Sequence, residues 1–259
     1  MQTATVDEIL RDIDSASRTQ GGGAIAFDGD GTLWSGDIGE DFFEAAMKHG
    51  LHPSTREPLA REAMEGGLVV TPTATAHDLA HAIHAAYLGG AFSEERICEV
   101  IAWIAGGWTH DELRAFCKET VAAIGLRDRL HGEAIRVLRH AQSVGIAAYL
   151  VSASPLGIVE AAAAVVGIPL EHVTAVRERV SADGVVECGV VRPITYGEGK
   201  VTNLRALLGE GRPLYAAFGD NAFDVPLLRS AQNPVAIRPK QRLLDRAHEV
   251  PGLRILERI

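Results

Sequence analysis

The chain has 259 residues, 47% of them apolar, so it can bury a substantial core as one large domain or as a core with an inserted module. Its formal net charge is −9 and no basic cluster offsets this charge, which argues against a nucleic-acid partner or an anionic membrane surface. The longest apolar stretches, such as "AAAAVVGIPL", are much shorter than the roughly 20 residues that a bilayer span needs.

The first 20 residues are acidic and amphipathic, unlike the basic and then apolar pattern of a secretory signal. Cys98, Cys117 and Cys188 are odd in number and far apart in the sequence. This spacing favours small core residues in a reducing compartment over a disulfide framework or a zinc site. We therefore expect a cytoplasmic protein.

The stretch "AIAFDGDGTLW", residues 24–34, begins as an apolar run without alternation, which predicts a short strand buried on both faces. Asp28 then stands where that strand ends. A calcium loop counted from Asp28 would place Thr32, Leu33 and Gly39 at its fifth, sixth and twelfth positions, so that alternative fails. A dinucleotide-binding turn is disfavoured because Asp30 would repel a pyrophosphate. A plain Asp-Gly turn remains open from this stretch alone.

The next region is helical for nearly a hundred residues, and no alternation typical of strands interrupts it. The helical patterns lie near residues 40–50, 55–66, 73–89, 93–105 and 109–124.

From about residue 128, helices and strands alternate. A helix over 132–144 precedes an apolar strand over 146–151, a helix after Pro155 and a hairpin around "SADG". A helix from about 199, the strand "LYAAF", a helix after Asn221 and the strand "PVAI" follow. This order predicts an α/β fold with a doubly wound, mostly parallel, Rossmann-like sheet. Residues 1–35 and 127–259 would form the sheet domain, and residues 36–126 an inserted helical cap.

Three further polar residues lie near the ends of predicted core elements. Ser152 follows one strand, Asp220 follows another, and Lys200 opens a helix. Because the carboxyl ends of parallel strands meet at one edge of a sheet, these side chains can share a crevice with Asp28. Two carboxylates, a hydroxyl and a cation suit phosphoryl transfer with Mg²⁺, a hard cation that prefers oxygen ligands.

The segments "FDGDGTLW", "LVSASP", "YGEGK" and "FGDNAFD" resemble, in this order, the four motifs of the haloacid dehalogenase superfamily. The helical region after the first motif is similar to the cap of the phosphoserine-phosphatase-like branch. The resemblance extends from about residue 23 to about residue 237 and implies a phosphatase, because the dehalogenating members lack the second aspartate of the first motif. Four motifs in order at strand ends make the plain-turn alternative improbable.

The resemblance implies a role for each matching residue. Asp28 would attack phosphorus and form an aspartyl phosphate, while Asp30 would protonate the leaving oxygen and then activate water. Mg²⁺ would bind the carboxylates of Asp28 and Asp220 and the carbonyl of Asp30. The residues implied to contact the phosphate are Thr32, Ser152, Ala153 and Lys200, and those implied to support the metal site are Asp224 and Asn221.

Two motifs depart from the phosphoserine phosphatase pattern. Gly31 stands where that family often has Ser, and Asn221 and Phe223 replace Gly and Asn in the fourth motif. These changes leave the chemistry intact but alter the surroundings of the leaving group.

Residues 36–126 contain six basic and 14 acidic side chains, and so carry −8 of the net charge of −9. An acidic cap favours a phosphate ester that bears an amine or no further charge over a sugar bisphosphate. Asp37, nine residues after Asp28, matches the position of the glutamate that meets the substrate in phosphoserine phosphatases, although a helix N-cap explains it equally well. Phosphoserine is the leading expected substrate, followed by phosphoethanolamine, phosphocholine and sugar phosphates. A non-catalytic protein that binds a metabolite is the alternative.

The segment "HDLAH" imitates a zinc-binding helix, because His77, His81 and His84 have helical spacing. Asp78, in place of the usual Glu, would reach a metal-bound water poorly. A solvated helix surface is therefore the preferred interpretation of this segment.

Overall fold

The computed structural model describes residues 2–259 and contains a seven-stranded sheet in which every strand pair is parallel. In chain order its strands are β1 (Gln2–Ala4), β2 (Ala24–Phe27), β3 (Ala147–Pro155), β4 (Val173–Val176), β7 (Leu214–Gly219), β8 (Asn233–Ala236) and β9 (Arg254–Leu256). A separate antiparallel hairpin consists of β5 (Glu178–Val180) and β6 (Val186–Val190). The strand order β1-β9-β8-β7-β2-β3-β4 confirms the predicted doubly wound α/β fold.

Eleven α-helices are described in residues 2–259. They are α1 (Val6–Thr19), α2 (Ile38–His49), α3 (Arg56–Glu65), α4 (Ala76–Leu88), α5 (Glu94–Trp103), α6 (His110–Ala123), α7 (Gly132–Ser143), α8 (Leu156–Val166), α9 (Glu198–Leu208), α10 (Val225–Arg229) and α11 (Gln241–Asp245). None of them combines the length and the apolar character that crossing a membrane requires.

Strand β2 lies near the middle of the sheet, between β3 and β7. All four of its side chains are buried, because helices cover both faces of the sheet. The rings of Phe27 and Phe218 stack across β2 and β7 with their centroids 4.4 Å apart. This packing fixes the ends of the two strands side by side, and the two predicted acidic motifs begin there.

The segments that join the helical region to the sheet contact each other. Ser35 N donates to Arg129 O at 2.9 Å, and His131 N donates to Leu33 O at 2.9 Å. The segment that leads into helices α2 to α6 and the segment that leads out of them therefore lie side by side next to β2. The hairpin β5–β6 also contacts the helical region, because Gly107 N donates to Val186 O at 2.8 Å.

Strand β3 differs from its predicted bounds. It continues to Pro155 instead of ending near residue 151, so Ser152 and Ala153 lie within the strand and not after it. The apolar run ends at Val151, but backbone pairing with β4 continues to Pro155 and holds the polar residues in extended conformation. Strands β1, β4 and β9 have only three or four residues each, and no pattern in the sequence predicted them.

Candidate active site

Asp28 occupies the end of β2 at the carboxyl edge of the sheet, and only 2% of it is exposed. Its backbone N donates to Phe218 O at 2.9 Å, which continues the ladder between β2 and β7. Its Oδ1 accepts from Lys200 Nζ at 2.6 Å, and its Oδ2 accepts from Thr32 Oγ1 at 3.2 Å. Both carboxylate oxygens are therefore held in place.

Lys200, near the start of α9, is completely buried and bridges two carboxylates. Its Nζ lies 2.6 Å from Asp28 Oδ1 and 2.5 Å from Asp224 Oδ1. Burial alone would lower the pKa of Lys200, but the charges of Asp224 and Asp28 raise it, so the side chain stays an ammonium. The centroid of the Phe223 ring lies 4.8 Å from Nζ, a cation–π distance.

Asp220 and Asp224 follow β7, and their carboxylates have different partners. Asp224 Oδ1 is bound to Lys200, and its Oδ2 accepts from the backbone N of Asp220 at 3.1 Å and of Asn221 at 3.0 Å. Asp220 Oδ2 is 2.9 Å from Lys240 Nζ, whereas its buried Oδ1 has no hydrogen-bond partner. Burial, with the charges of Asp28 and Asp224, raises the pKa of Asp220.

Within residues 2–259, one group of three acidic, histidine or cysteine side chains places its ligand atoms close enough to share a metal ion: Asp28, Asp220 and Asp224, within 4.8 Å of one another. Asp224 uses both oxygens in hydrogen bonds, so it is suited to orienting Lys200 and the backbone of the turn. The free Asp220 Oδ1 and the Asp28 carboxylate are oxygen donors of the kind that Mg²⁺ prefers.

Gly31 adopts a φ of +81° in the turn after Asp28. A Cβ at this position would collide with the carboxylate of Asp220. The departure from Ser therefore has a local physical reason: the turn needs a residue that adopts the left-handed conformation and has no side chain, so that Asp220 can approach the turn after Asp28.

Asp30 is held by three donors. Its Oδ1 accepts from Trp34 Nε1 at 2.7 Å and Ile38 N at 2.8 Å, and its Oδ2 accepts from Ser154 Oγ at 2.6 Å. Burial raises the pKa of Asp30, and the nearby charge of Asp37 raises it further. The motif residues Trp34 and Ser154 thus orient Asp30, a role that sequence reasoning missed although both belong to the quoted motifs.

A cavity of about 250 Å³ opens above Asp28 and Asp30. The sheet region contributes seven further residues to its lining: Ala153, Ser154, Pro155, Asn221, Phe223, Lys240 and Arg242. The helical region contributes Asp37, Gly39, Glu40, Tyr87, Glu94, Ile97, Cys98 and Ile101. The cavity is thus enclosed between the edge of the sheet and helices α2, α4 and α5.

A larger groove of about 780 Å³ between α6 and α8 contains none of the predicted site residues.

The remaining predicted residues lie close to this centre. Thr32 is bonded to Asp28, and Ala153 lines the cavity. Ser152 is completely buried and its Oγ accepts from Ser154 N at 3.1 Å, so Ser154, and not Ser152, lines the cavity. Asn221 also lines the cavity, and its Oδ1 accepts from Ala222 N at 2.7 Å.

Asp37 serves as the N-cap of α2, because one carboxylate oxygen accepts from Glu40 N at 3.0 Å. The same exposed side chain lines the cavity, so the N-cap role and contact with a ligand are compatible. Its part in substrate recognition stays a prediction.

The histidines of α4 have other partners. His84 Nε2 lies 2.5 Å from Glu40 Oε2, and Asp78 forms a capping box with Thr75 at the start of the helix. The described residues therefore contain no zinc cluster on this helix.

The model of the haloacid dehalogenase-like hydrolase family matches residues 25–229. The chain belongs to this family. The match contains all four predicted motifs and both regions of the fold. It confirms the predicted superfamily and the hydrolase class.

Among curated proteins, the chain is 28% identical over 152 residues to the inhibition of morphological differentiation protein of Streptomyces azureus. The match covers 58% of this chain and 53% of the relative, so it spans about half the length of that protein.

Solved structures share the fold at low identity. A protein of unknown function from Bordetella pertussis Tohama I has a TM-score of 0.69 and 22% identity, over 90% of this chain and 97% of that one. A phosphoserine phosphohydrolase-like protein from Francisella tularensis subsp. tularensis SCHU S4 has a TM-score of 0.52 and 15% identity, over 91% and 95%. A phosphoserine phosphatase, solved as a phospho-aspartyl intermediate analogue, has a TM-score of 0.52 and 17% identity, over 91% and 94%. The predicted likeness to the phosphoserine phosphatase fold is thus confirmed.

Proposed function

We propose that this protein is a Mg²⁺-dependent phosphatase that hydrolyses a small phosphate monoester through an aspartyl phosphate on Asp28. The observation that carries the proposal is the position of Asp28 at the end of β2, bonded to Lys200 and Thr32 and open to the cavity. A carboxylate held in place with a buried cation beside it is suited to attack on a phosphate ester, because the cation offsets the charge that the two anions bring together.

In the first step, an oxygen of Asp28 forms a bond to phosphorus and the bond from phosphorus to the alcohol oxygen breaks. Asp30 gives its proton to that leaving oxygen. In the second step, Asp30 takes a proton from a water molecule as the water oxygen attacks phosphorus. The bond between Asp28 and phosphorus then breaks, releasing inorganic phosphate and restoring both carboxyl groups.

The three donors to Asp30 support this double role. They hold the carboxyl group in the lining of the cavity, where it can face a leaving alcohol. Lys200 stays bound to Asp28 and is suited to hold a phosphate oxygen during both steps.

The residues present fit a magnesium ion. The buried Asp220 Oδ1 has no hydrogen-bond partner, and an unpaired polar atom in the interior is costly unless a ligand satisfies it. With the Asp28 carboxylate and the Asp30 main-chain carbonyl, it would supply three oxygen ligands. When bound, Mg²⁺ neutralises charge on the phosphate.

The size of the cavity supports a small substrate. About 250 Å³ is below the range of roughly 300–1,000 Å³ that is usual for ligand pockets, so a nucleotide or a sugar bisphosphate is disfavoured. Asp37 has no ion-pair partner within residues 2–259 and lines this cavity, which supports a leaving group that bears an amine, as in phosphoserine, phosphoethanolamine or phosphocholine. The three free cysteines support a reducing compartment such as the cytoplasm.

Hydrolysis of p-nitrophenyl phosphate and of a panel of small phosphate esters, with Mg²⁺ and then with EDTA, tests this function. We expect turnover with Mg²⁺ and none with EDTA. Folded, Mg²⁺-saturated protein that binds phosphate esters but turns none of them over would support the alternative, a non-catalytic protein that binds a metabolite.

A further inference from the structure

An ion pair between the two regions of the molecule lines the cavity. Arg242 of α11 donates from Nη1 to Glu94 Oε1 at 3.1 Å and from Nη2 to Glu94 Oε2 at 2.8 Å. Tyr196 OH also donates to Glu94 Oε2, at 3.2 Å. Glu94 is the first residue of α5 in the helical region, whereas Arg242 and Tyr196 belong to the sheet region. Three donors thus fix the start of α5 against the wall of the cavity.

This pair also determines which charges a leaving group can meet. Within residues 2–259, the basic side chains that line the cavity are Lys240 and Arg242. Lys240 is bound to Asp220, and Arg242 is bound to Glu94 through both carboxylate oxygens. The helical region supplies no basic side chain to the lining and supplies Asp37 and Glu40 instead. A carboxylate on the leaving group would therefore find acids and no unpaired cation.

Resting on the phosphatase activity proposed above, we propose that the Glu94–Arg242 pair is a specificity determinant that excludes leaving groups with a carboxylate. By binding Arg242, Glu94 removes a cation that could recognise a second anionic group. The enzyme then selects phosphate esters of small alcohols that are neutral or carry an ammonium group. Among the amine-bearing esters named above, this places phosphoethanolamine and phosphocholine ahead of phosphoserine, the leading expectation from the sequence. Rejection by unpaired like charges is a common source of specificity in binding sites.

Phosphoethanolamine and phosphoserine form the matched substrate pair for this proposal, because phosphoserine differs from phosphoethanolamine by one carboxylate. We expect the wild-type kcat/KM for phosphoethanolamine to exceed that for phosphoserine by about tenfold or more. Glu94→Gln keeps the size of the side chain and removes its charge. This variant should reduce the preference severalfold by raising the relative kcat/KM for phosphoserine, and Glu94→Gln with Arg242→Gln should lose that gain.

The structure offers a matched control at another point of α5. Glu99 Oε1 and Oε2 each accept from Arg192 Nη2 at 2.7 Å, and this pair also joins the helical region to the sheet region. The arginine side chain is 64% exposed in both pairs, but neither Glu99 nor Arg192 lines the cavity. Glu99→Gln should therefore loosen α5 to a similar extent without changing the ratio between the two substrates.

Equal or greater wild-type activity on phosphoserine would overturn the proposal. So would a ratio that Glu94→Gln leaves unchanged, or one that Glu99→Gln changes as much, because the pair would then act only as a tether. These outcomes differ from failure of the proposed function, in which neither ester nor p-nitrophenyl phosphate is hydrolysed by any variant in the presence of Mg²⁺.

Discussion

The two sides of the cavity are built differently. At the sheet edge, Asp28, Lys200 and Asp224 are almost completely buried, and Lys200 binds both carboxylates. On the other side, the Glu94–Arg242 pair is partly exposed to solvent and joins α5 of the helical region to α11 of the sheet region. One side has a charge network isolated from water, and the other has a half-solvated ion pair.

This difference in burial means that the residues proposed for the chemistry and those proposed for substrate selection tolerate substitution to different degrees. Breaking a buried charge pair leaves an uncompensated charge and costs about 3–5 kcal/mol, whereas an exposed pair contributes about 0–1 kcal/mol. The sheet edge therefore tolerates little change. Under the proposed specificity, the charges of the Glu94–Arg242 pair can change, and with them the choice of leaving group, at small cost to folding.

The largest effect is expected at Asp28, the proposed nucleophile. Asp28→Asn should lower kcat by about 10⁴-fold or more, because an amide cannot replace the carboxylate as nucleophile. The fold should stay intact, because Lys200 keeps Asp224 as its counter-charge. Steady-state rates and thermal unfolding of the same sample test both parts, and near-normal turnover would rule out covalent catalysis by Asp28.

Asp30→Asn should slow both chemical steps, by about 10²–10⁴-fold, because the leaving oxygen loses its acid and the attacking water loses its base. Loss of the base should also let the phosphoenzyme accumulate. Mass spectrometry of acid-quenched protein measures this intermediate. Unchanged kcat for both an activated and an alkyl phosphate would place acid–base catalysis elsewhere in the cavity.

Lys200→Met tests how much the buried charge network at the sheet edge contributes to stability. The variant leaves Asp28 and Asp224 facing each other without a counter-charge, which should cost about 3–5 kcal/mol of the free energy of unfolding. Mg²⁺ should restore part of the loss if it binds beside Asp28. Urea denaturation with and without Mg²⁺ measures both effects, and a midpoint equal to that of the wild type would show that Lys200 is not the electrostatic centre of the edge.

The sequence predicted the sheet edge well because its residues belong to short motifs that directly follow or begin core elements. Asp28 follows β2 and Asp220 follows β7, and the two carboxylates come together because the structure makes these parallel strands neighbours. The short strand β4, by contrast, is held by pairing with β3, a contact that local composition does not encode.

The helical wall could not be predicted in the same way. Its residues come from α2, α4 and α5, and no local spacing connects them to the sheet. Glu94 and Arg242 are 148 positions apart, and each taken alone is an ordinary charged residue on a helix. Asp37 was recognised only through the resemblance to a family motif. Long-range pairs of this kind depend on how the helical region packs on the sheet.

A smaller effect is expected at the junction between the two sides. Ser154→Ala removes one of the three donors that orient Asp30, and a hydrogen bond to a charged group is worth about 1.5–3 kcal/mol. We expect kcat to fall by about 10- to 100-fold, with little change in KM. Ser143→Ala, at an exposed position on α7, is the control. A change confined to KM would make Ser154 a substrate-binding residue instead of a positioning residue.

The smallest effect is expected at Asp37, on the helical wall. If its carboxylate meets an ammonium group, Asp37→Asn should raise KM for phosphoethanolamine about fivefold, the scale of a solvent-exposed ion pair. KM for p-nitrophenyl phosphate should stay nearly constant, because that substrate carries no amine. The N-cap of α2 should survive, since asparagine caps helices about as well as aspartate, so a loss of stability cannot imitate the result. Equal increases in KM for both substrates would show that Asp37 does not recognise the amine and acts only as the N-cap of α2.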